Sequence, residues 1–197
     1  MHPFWSAIFG NPNLVEVEIG PGTGTFLLRA AANHPQTNFF ALEHSHSRAT
    51  RLEAAIRWRD LRNARVIASD AACVVSRLIP TASVSAYHVY FPDPWWKRRH
   101  HRRRLFTPEF AAALASTLAA SGRLSVATDV DDLFASIRTT LHNCGAFEES
   151  EARSSRVDLT AFERKGLARG AIIRDATFIK RAAQTAPAVL TSAAPRQ

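Results

Sequence analysis

The chain has 197 residues, of which 46% are hydrophobic and 21% are charged, with only 8 Gly and 10 Pro. These values predict one globular domain with a sizeable core, and they exclude a wholly disordered, collagen-like or low-complexity chain. The formal net charge is +8, and residues 97–104 hold six of the 25 Lys and Arg residues, so we expect a focused positive site that suits a polyanion such as nucleic acid.

Short apolar runs alternate with amphipathic segments along the chain. Strands are predicted at residues 14–19, 38–43, 64–69, 84–91 and 123–128, with a further candidate at 171–179. Helices are predicted at residues 25–32, 47–59 and 71–78 and from Thr107 through Leu118. A further helix is predicted over a segment that contains Leu133 and ends near Gly145. Such repeats predict an α/β fold, with a mostly parallel sheet and helices on both faces. We expect one domain at residues 1–181 and a flexible tail at 182–197.

Three glycines follow the first predicted strand at alternate positions. Gly20, Gly22 and Gly24 stand between a strand and a helix, where the backbone must turn sharply and approach a ligand without Cβ atoms in the way. The dinucleotide fingerprint needs a further glycine where this chain has Thr25, which argues against NAD and FAD. The loop therefore predicts either a site for another nucleoside cofactor or a simple tight turn.

Carboxylates stand at the ends of three consecutive predicted strands. Glu18, Glu43 and Asp70 should meet at the ligand-binding edge of the sheet, because the carboxyl ends of parallel strands lie together there. An acid at the end of the second strand can accept hydrogen bonds from ribose hydroxyls, and a second one can balance a cation. S-adenosylmethionine fits this set because it is cationic and has no phosphates. For Asp70 the alternative is a helix N-cap.

The fourth predicted strand runs into Phe-Pro-Asp-Pro-Trp. The prolines on both sides of Asp93 restrict the backbone and should hold its carboxylate in a fixed direction. Trp95 and Trp96 can stack on a base or pack internally, and the basic segment 97–104 follows at once. An acid for base edges, aromatic rings for stacking and cations for phosphates are the elements of RNA recognition.

Together these motifs resemble those of the bacterial tRNA (guanine-N7)-methyltransferases, over roughly residues 8–181. The matching motifs are Glu18-Ile19-Gly20-x-Gly22-x-Gly24, Phe91-Pro92-Asp93-Pro94-Trp95-x-Lys97-x-Arg99-His100, Thr128-Asp129, and Thr160-x-Phe162-Glu163 followed by Gly166. The chain departs from the family pattern at Trp96, where proline is usual, and at Ala161, where lysine is common.

The resemblance implies a class I, Rossmann-like methyltransferase fold and methyl transfer from S-adenosylmethionine to N7 of guanine 46 in the variable region of tRNA. It implies Asp93 as the catalytic residue, which we expect to position guanine, since N7 carries no proton to remove. The implied cofactor-binding residues are Glu18, Gly20, Gly22, Gly24, Glu43, Asp70 and Asp93. The implied substrate-binding residues are Lys97, Asp129, Thr160, Ala161, Phe162 and Glu163.

Two other functions stay open from the sequence: a class I methyltransferase acting on another RNA or on a small molecule, and a non-catalytic tRNA-binding protein of the same fold. We expect no metal site, because His100 and His101 stand among arginines and the two cysteines lie far apart. We also expect no membrane span and a cytoplasmic location. The oligomeric state, monomer or homodimer, stays open.

Overall fold

The computed structural model describes residues 2–151 and 170–182. The strands are β1 (Leu14–Ile19), β2 (Thr37–Glu43), β3 (Ala64–Ala68), β4 (Val84–Tyr90), β5 (Leu118–Thr128), β6 (Phe147–Glu149) and β7 (Arg174–Lys180). The helices are α1 (Pro3–Phe9), α2 (Thr25–Asn33), α3 (His46–Trp58), α4 (Ala71–Arg77), α5 (Pro108–Thr117) and α6 (Asp131–Cys144), and a 3₁₀ helix spans Arg98–Arg103.

The seven strands form one sheet in the order β3-β2-β1-β4-β5-β7-β6. Strands β1 to β5 pair in parallel, whereas β7 pairs antiparallel with both β5 and β6. The predicted α/β class and mostly parallel sheet are therefore confirmed. The order reverses between β1 and β4, and a ligand crevice is expected at the carboxyl ends of the strands at such a point.

Alternate residues of the strands face two separate apolar cores. On β2, Phe40 packs in the larger core with residues of α1, α4, α5 and α6, and its neighbours Phe39 and Ala41 pack in the smaller core with α2 and α3. This alternation explains why both faces of β2 are buried and why its sequence is a nearly continuous apolar run.

Several element boundaries differ from the predicted ones. Helix α1 was not predicted, although Pro3 at its first position and the left-handed Gly10 at its end are helix signals. Helix α5 ends at Thr117, and β5 begins at Leu118 rather than at residue 123. The early part of β5 is irregular: Ser121 has a φ of 58°, and the pairing with β4 shifts by several residues before it becomes regular at Arg123.

The last two strands also depart from the sequence-based picture. The short strand β6 was not predicted, and the candidate at residues 171–179 forms β7 three residues later, in an antiparallel position between β5 and β6. The tail from residue 183 lies outside the described residues, so its flexibility stays a prediction. Within the described ranges, no helix has the length and hydrophobicity of a membrane span, and no group of His, Cys, Asp and Glu is arranged to hold a metal ion.

Candidate active site

A cleft of about 530 Å³ opens at the carboxyl ends of β1 to β4. Its walls include Gly20, Glu43, Asp70 and Asp93, each of which follows or closes a different strand. Ser45, Arg48, Ser69, Tyr90, Trp95 and Arg103 are among the other residues that line it. The strand ends therefore bring together the carboxylates that the sequence placed at one edge, apart from Glu18.

The glycine loop has a left-handed backbone at all three glycines. Gly20 and Gly22 have φ values of 71° and 57°, and a Cβ at either position would meet no atom within 4 Å. Gly24 differs, because a Cβ there would overlap the Leu52 side chain of α3. The first two glycines thus leave open space beside the backbone, whereas Gly24 allows the loop to pack closely against α3.

Glu43 is held at the end of β2 by backbone donors. Its Oε2 accepts from the Gly22 N–H at 3.1 Å, and its Oε1 accepts from the Ser45 N–H at 2.8 Å. Arg48 stands 3.9 Å from the same carboxylate. Glu43 therefore ties the glycine loop to the start of α3 and keeps its carboxylate at a fixed place in the cleft wall, with acceptor capacity to spare.

Glu18 lies beneath the glycine loop and is only 4% exposed. Burial raises the pKa of its carboxyl to about 8; the Leu27 backbone N–H lowers it in part, and the nearby Glu43 carboxylate raises it. Its Oε2 is buried and has no hydrogen-bond partner within the part of the chain that the structure describes. Glu18 is therefore mostly neutral at pH 7, and a cation bound nearby would favour its ionised form.

Asp70 has the capping role that the sequence left open as an alternative. Its carboxylate accepts from the Cys73 N–H at 2.8 Å and so caps the N-terminus of α4. The same residue lines the cleft, next to Ser69. One side chain therefore ends β3, starts α4 and presents an acidic group to the cleft.

Asp93 stands on a strained turn after β4. Phe91 and Trp95, two residues to either side, have φ values of 52° and 47°, which non-glycine residues rarely adopt. The Phe91 N–H donates to the Ala127 carbonyl on β5 at 2.7 Å, which anchors the turn. The Asp93 side chain is exposed and lines the cleft, so the turn presents a carboxylate to a ligand.

The basic segment folds back onto this turn. The Arg103 guanidinium lies 5.0 Å from the centre of the Trp95 ring, and both residues line the cleft. His100 contacts the same ring edge-on at 6.0 Å. Asp93 and at least one arginine of the segment therefore share one cleft, and the Trp95 ring packs against Arg103 and His100 of the 3₁₀ helix.

Arg104 differs from the exposed arginines of the basic segment, because its guanidinium is engaged within the protein. Its Nε donates to the Pro94 carbonyl at 3.0 Å, and its NH2 group donates to Asp132 Oδ2 on α6 at 2.7 Å. The Arg104 side chain is only 9% exposed. The hydrogen bond from Arg104 also keeps the pKa of Asp132 below its ordinary value. Arg104 is thus a clamp that joins the turn after β4 to α6.

The structure describes only some of the remaining residues that were predicted to bind the substrate. Lys97 is exposed next to the 3₁₀ helix, Trp96 is 74% exposed, and Asp129 follows β5 in a half-buried position outside the cleft lining. Thr160, Ala161, Phe162 and Glu163 lie outside the described residues. Their predicted roles therefore stay predictions.

A row of polar side chains beside the cleft, buried at His88 and Tyr90 and more exposed at Glu16 and Arg123, was missed by the sequence analysis. His88 Nε2 lies 2.8 Å from Glu16 Oε2, and His88 Nδ1 lies 2.9 Å from the Tyr90 hydroxyl. Arg123 donates to the same Glu16 carboxylate at 2.6 Å. Burial raises the pKa of Glu16, but the hydrogen bond and charge of His88 and the charge of Arg123 outweigh it and lower the pKa overall. Tyr90 also lines the cleft, so this row of hydrogen-bonded side chains reaches the cleft wall.

Comparison with known proteins links this architecture to methyltransferases. The model of a family named Methyltransf_4, described as "Putative methyltransferase", matches residues 12–174. The chain is 35% identical over 180 residues to the tRNA (guanine-N(7)-)-methyltransferase of Nitrosomonas europaea, a match that covers 89% of this chain and 80% of that protein. For the protein of the same name from Burkholderia cenocepacia (strain HI2424), the identity is 36% over 184 residues, with 91% and 72% covered.

A solved structure shows the same fold at lower identity. The 16S rRNA methyltransferase KamB superposes on this chain with a TM-score of 0.67 and 15% identity, covering 90% of this chain and 93% of that one. At this identity the similarity establishes a shared fold and carries no information on the substrate.

Proposed function

The chain belongs to the Methyltransf_4 family and, within it, to the bacterial tRNA (guanine-N7)-methyltransferases, and from this premise we propose how its cleft works. The enzyme transfers a methyl group from S-adenosylmethionine to N7 of guanine in tRNA, on a class I methyltransferase fold. We propose guanine 46 of the variable region as the target and Asp93 as the residue that positions it. The observation that supports this most is that Asp93, Glu43 and Arg103 line one cleft.

The residues of the cleft suit S-adenosylmethionine. When bound, this cofactor supplies an electrophilic methyl group on a cationic sulfonium. Glu43, already oriented by the Gly22 and Ser45 amides, would accept hydrogen bonds from ribose hydroxyls. Glu18, with its unpartnered buried oxygen, would supply a negative charge that balances the cation. The open space beside Gly20 and Gly22 leaves room for a ligand close to the backbone.

Asp93 would act on guanine by orientation. Guanine N7 has a lone pair and no proton, so no general base is needed to prepare the nucleophile. The Asp93 carboxylate would accept hydrogen bonds from guanine N1–H and N2–H, which fixes the direction of N7 and stabilises the positive charge that the base gains. The strained turn and its anchor to β5 keep the carboxylate in place before the base arrives.

The exposed cations of residues 97–104 would hold the tRNA backbone beside the cleft. Lys97, Arg102 and Arg103 are exposed, in contrast to Arg104. Phosphate contacts from such residues fix the position of the RNA without reading its sequence. Arg103 would then link the backbone to the cleft, because it also stacks on Trp95.

The proposal is tested by incubating the protein with labelled S-adenosylmethionine and unmodified tRNA, followed by nucleoside analysis and mapping of the modified position. We expect 7-methylguanosine at position 46. A different methylated nucleoside, or none although the cofactor binds, would contradict the proposal. 7-Methylguanosine at another tRNA position would support the proposed reaction but refute guanine 46 as its target.

A further inference from the structure

One face of α3 carries an exposed stripe that the cleft does not use. Arg51, Ala54 and Trp58 are separated by three and four residues, so they lie on one side of the helix, and all three are exposed. Trp58 is 85% exposed, the highest value among the large hydrophobic residues of the described chain. It stands between Arg57 and Arg59, at the end of the helix that points away from the cleft.

The surroundings of Trp58 are strongly basic. Residues 48–65 contain six arginines against two acids, Glu53 and Asp60. Glu53 is paired with Arg57 at 2.9 Å and lies about 140° around the helix from Trp58, since each residue turns the helix by about 100°. The stripe itself therefore carries no acidic residue.

The cations near Trp58 differ in how far they are engaged within the protein. Arg62 is 88% exposed and its nearest acid, Asp60, is 3.5 Å away and itself 81% exposed. Among the described residues, the Arg59 guanidinium has no hydrogen-bond or ion-pair partner. Arg65, by contrast, lies over the Phe9 ring at 5.5 Å and donates to the Ala64 carbonyl. Arg59 is thus available to an anion, whereas Arg62 is paired with Asp60 and Arg65 is a structural residue.

A hollow of about 520 Å³ lies on another side of α3, since its lining includes Glu53, which is about 140° around the helix from Trp58. The hollow is also lined by Arg57, Arg62 and Asp60, so it does not belong to the stripe. Arginines near a helix C-terminus stabilise the helix dipole, which accounts for Arg57 and Arg59 without any ligand. The helix dipole does not account for a solvent-exposed tryptophan, and an aromatic ring beside an unpaired guanidinium group is a common surface for an unpaired base and its phosphates.

The stripe is also within reach of an RNA that enters the cleft. Helix α3 starts directly after Ser45, which lines the cleft, and its 13 residues extend for about 18 Å to Trp58. Arg48 stands at the cleft end of the helix and Arg51 one turn further along. Basic side chains therefore lie along α3 between the cleft and Trp58.

We infer that Arg51 and Trp58 of α3, together with Arg59 directly after the helix, form a second RNA-binding surface, which holds the substrate's phosphates and stacks an unpaired base on Trp58. This inference rests on the proposed function, because the RNA is the tRNA whose guanine occupies the cleft. The surface is separate from the basic segment 97–104, so the tRNA is held at two places on the protein.

The test measures binding of unmodified tRNA at several KCl concentrations for the full chain and its variants. The variant with Arg51→Ala and Arg59→Ala should lower the slope of log affinity against log salt by about 1.4 to 1.8, at 0.7 to 0.9 for each lost phosphate contact. Trp58→Ala should weaken binding about tenfold at every salt concentration without changing the slope, and Trp58→Phe should restore most of the affinity. Arg77→Ala, an exposed arginine in the last turn of α4, is the matched control and should leave the slope unchanged.

Three further readouts separate the possible failures. S-adenosylmethionine binding and the single-turnover methylation rate at saturating tRNA should stay at the wild-type level in all these variants. If the wild type methylates tRNA and the Trp58 and arginine variants bind it equally well, the second surface is refuted while the proposed function stands. If the wild type forms no 7-methylguanosine, the proposed function itself fails. A concentration-dependent dimer that Trp58→Ala dissociates, with unchanged tRNA affinity, would assign this face to a protein contact and overturn the inference.

Discussion

The buried carboxyl of Glu18 should lower the stability of the cofactor-free protein at neutral pH, because its pKa is raised. Its carboxyl has a pKa of about 8 in the fold, against 4.5 for the ordinary group. Between these values the folded state holds a proton that the unfolded state has lost, so stability falls as the pH rises from about 4.5 to 8 and then levels off. At pH 7 the raised pKa lowers the free energy of unfolding by about 3 kcal/mol, because each pH unit above 4.5 contributes about 1.4 kcal/mol.

Glu18→Gln removes this cost, because the amide has the size of the protonated carboxyl and does not titrate. We expect the variant and the wild type to have similar stability near pH 5, and the variant to unfold about 6 to 12 °C higher at pH 7. Thermal unfolding of both proteins without cofactor, from pH 5 to pH 8.5, measures the difference directly. Other titrating groups are common to both proteins and cancel in the comparison.

The same substitution should act in the opposite direction on the cofactor. S-adenosylmethionine affinity of the wild type should rise as the pH approaches 8, because the cation favours ionised Glu18, whereas Glu18→Gln should bind more weakly with a flatter pH profile. Calorimetry at pH 6, 7 and 8 measures this. Parallel stability curves of the two proteins would refute the assignment of a neutral Glu18, and unchanged cofactor affinity would refute its role in binding.

Three further predictions concern the turn and the glycine loop. Arg104→Ala should lower the methylation rate more than the tRNA affinity, and it should leave the salt dependence of tRNA binding unchanged. Arg102→Ala should instead reduce the slope of log affinity against log salt by about 0.7 to 0.9. Equal slopes for the two variants would contradict the structural role of Arg104. Gly24→Ala should destabilise the protein by about 1 to 3 kcal/mol in urea unfolding, because the new Cβ meets Leu52, and Gly22→Ala should cost less since only its φ is unfavourable. Glu43→Gln should weaken cofactor binding by about 1 to 3 kcal/mol as measured by calorimetry, and an unchanged affinity would exclude Glu43 from the ribose site.

The sequence predicted the parallel core of the fold well because local and long-range signals agree there. Each strand from β1 to β4 is a short apolar run that ends in a glycine, proline or acidic residue, and the following helix has an amphipathic pattern. The order of strands also brings Glu43, Asp70 and Asp93 to one cleft, as expected from parallel strands with their ends at one edge.

Other features depend on contacts that no local pattern encodes. Leu118 continues the spacing of a helix, yet it pairs with Val84 as the first residue of β5, because Thr117 ends α5 and bonds to the Tyr87 hydroxyl. Arg104 looks like any other residue of a basic run, and only its hydrogen bonds to Pro94 and Asp132 show that its guanidinium is engaged within the protein. Tertiary contacts decide these cases, and they join residues far apart in the sequence.

The most direct test of the account compares Asp93→Ala with the wild type in single-turnover methylation of tRNA, with cofactor and tRNA binding measured on the same preparations. We predict that the rate of 7-methylguanosine formation falls by about 100-fold or more, in line with the loss of one preorganised group, while both ligands bind within a few-fold of the wild type. A variant that methylates guanine within about tenfold of the wild-type rate would show that Asp93 does not position the base.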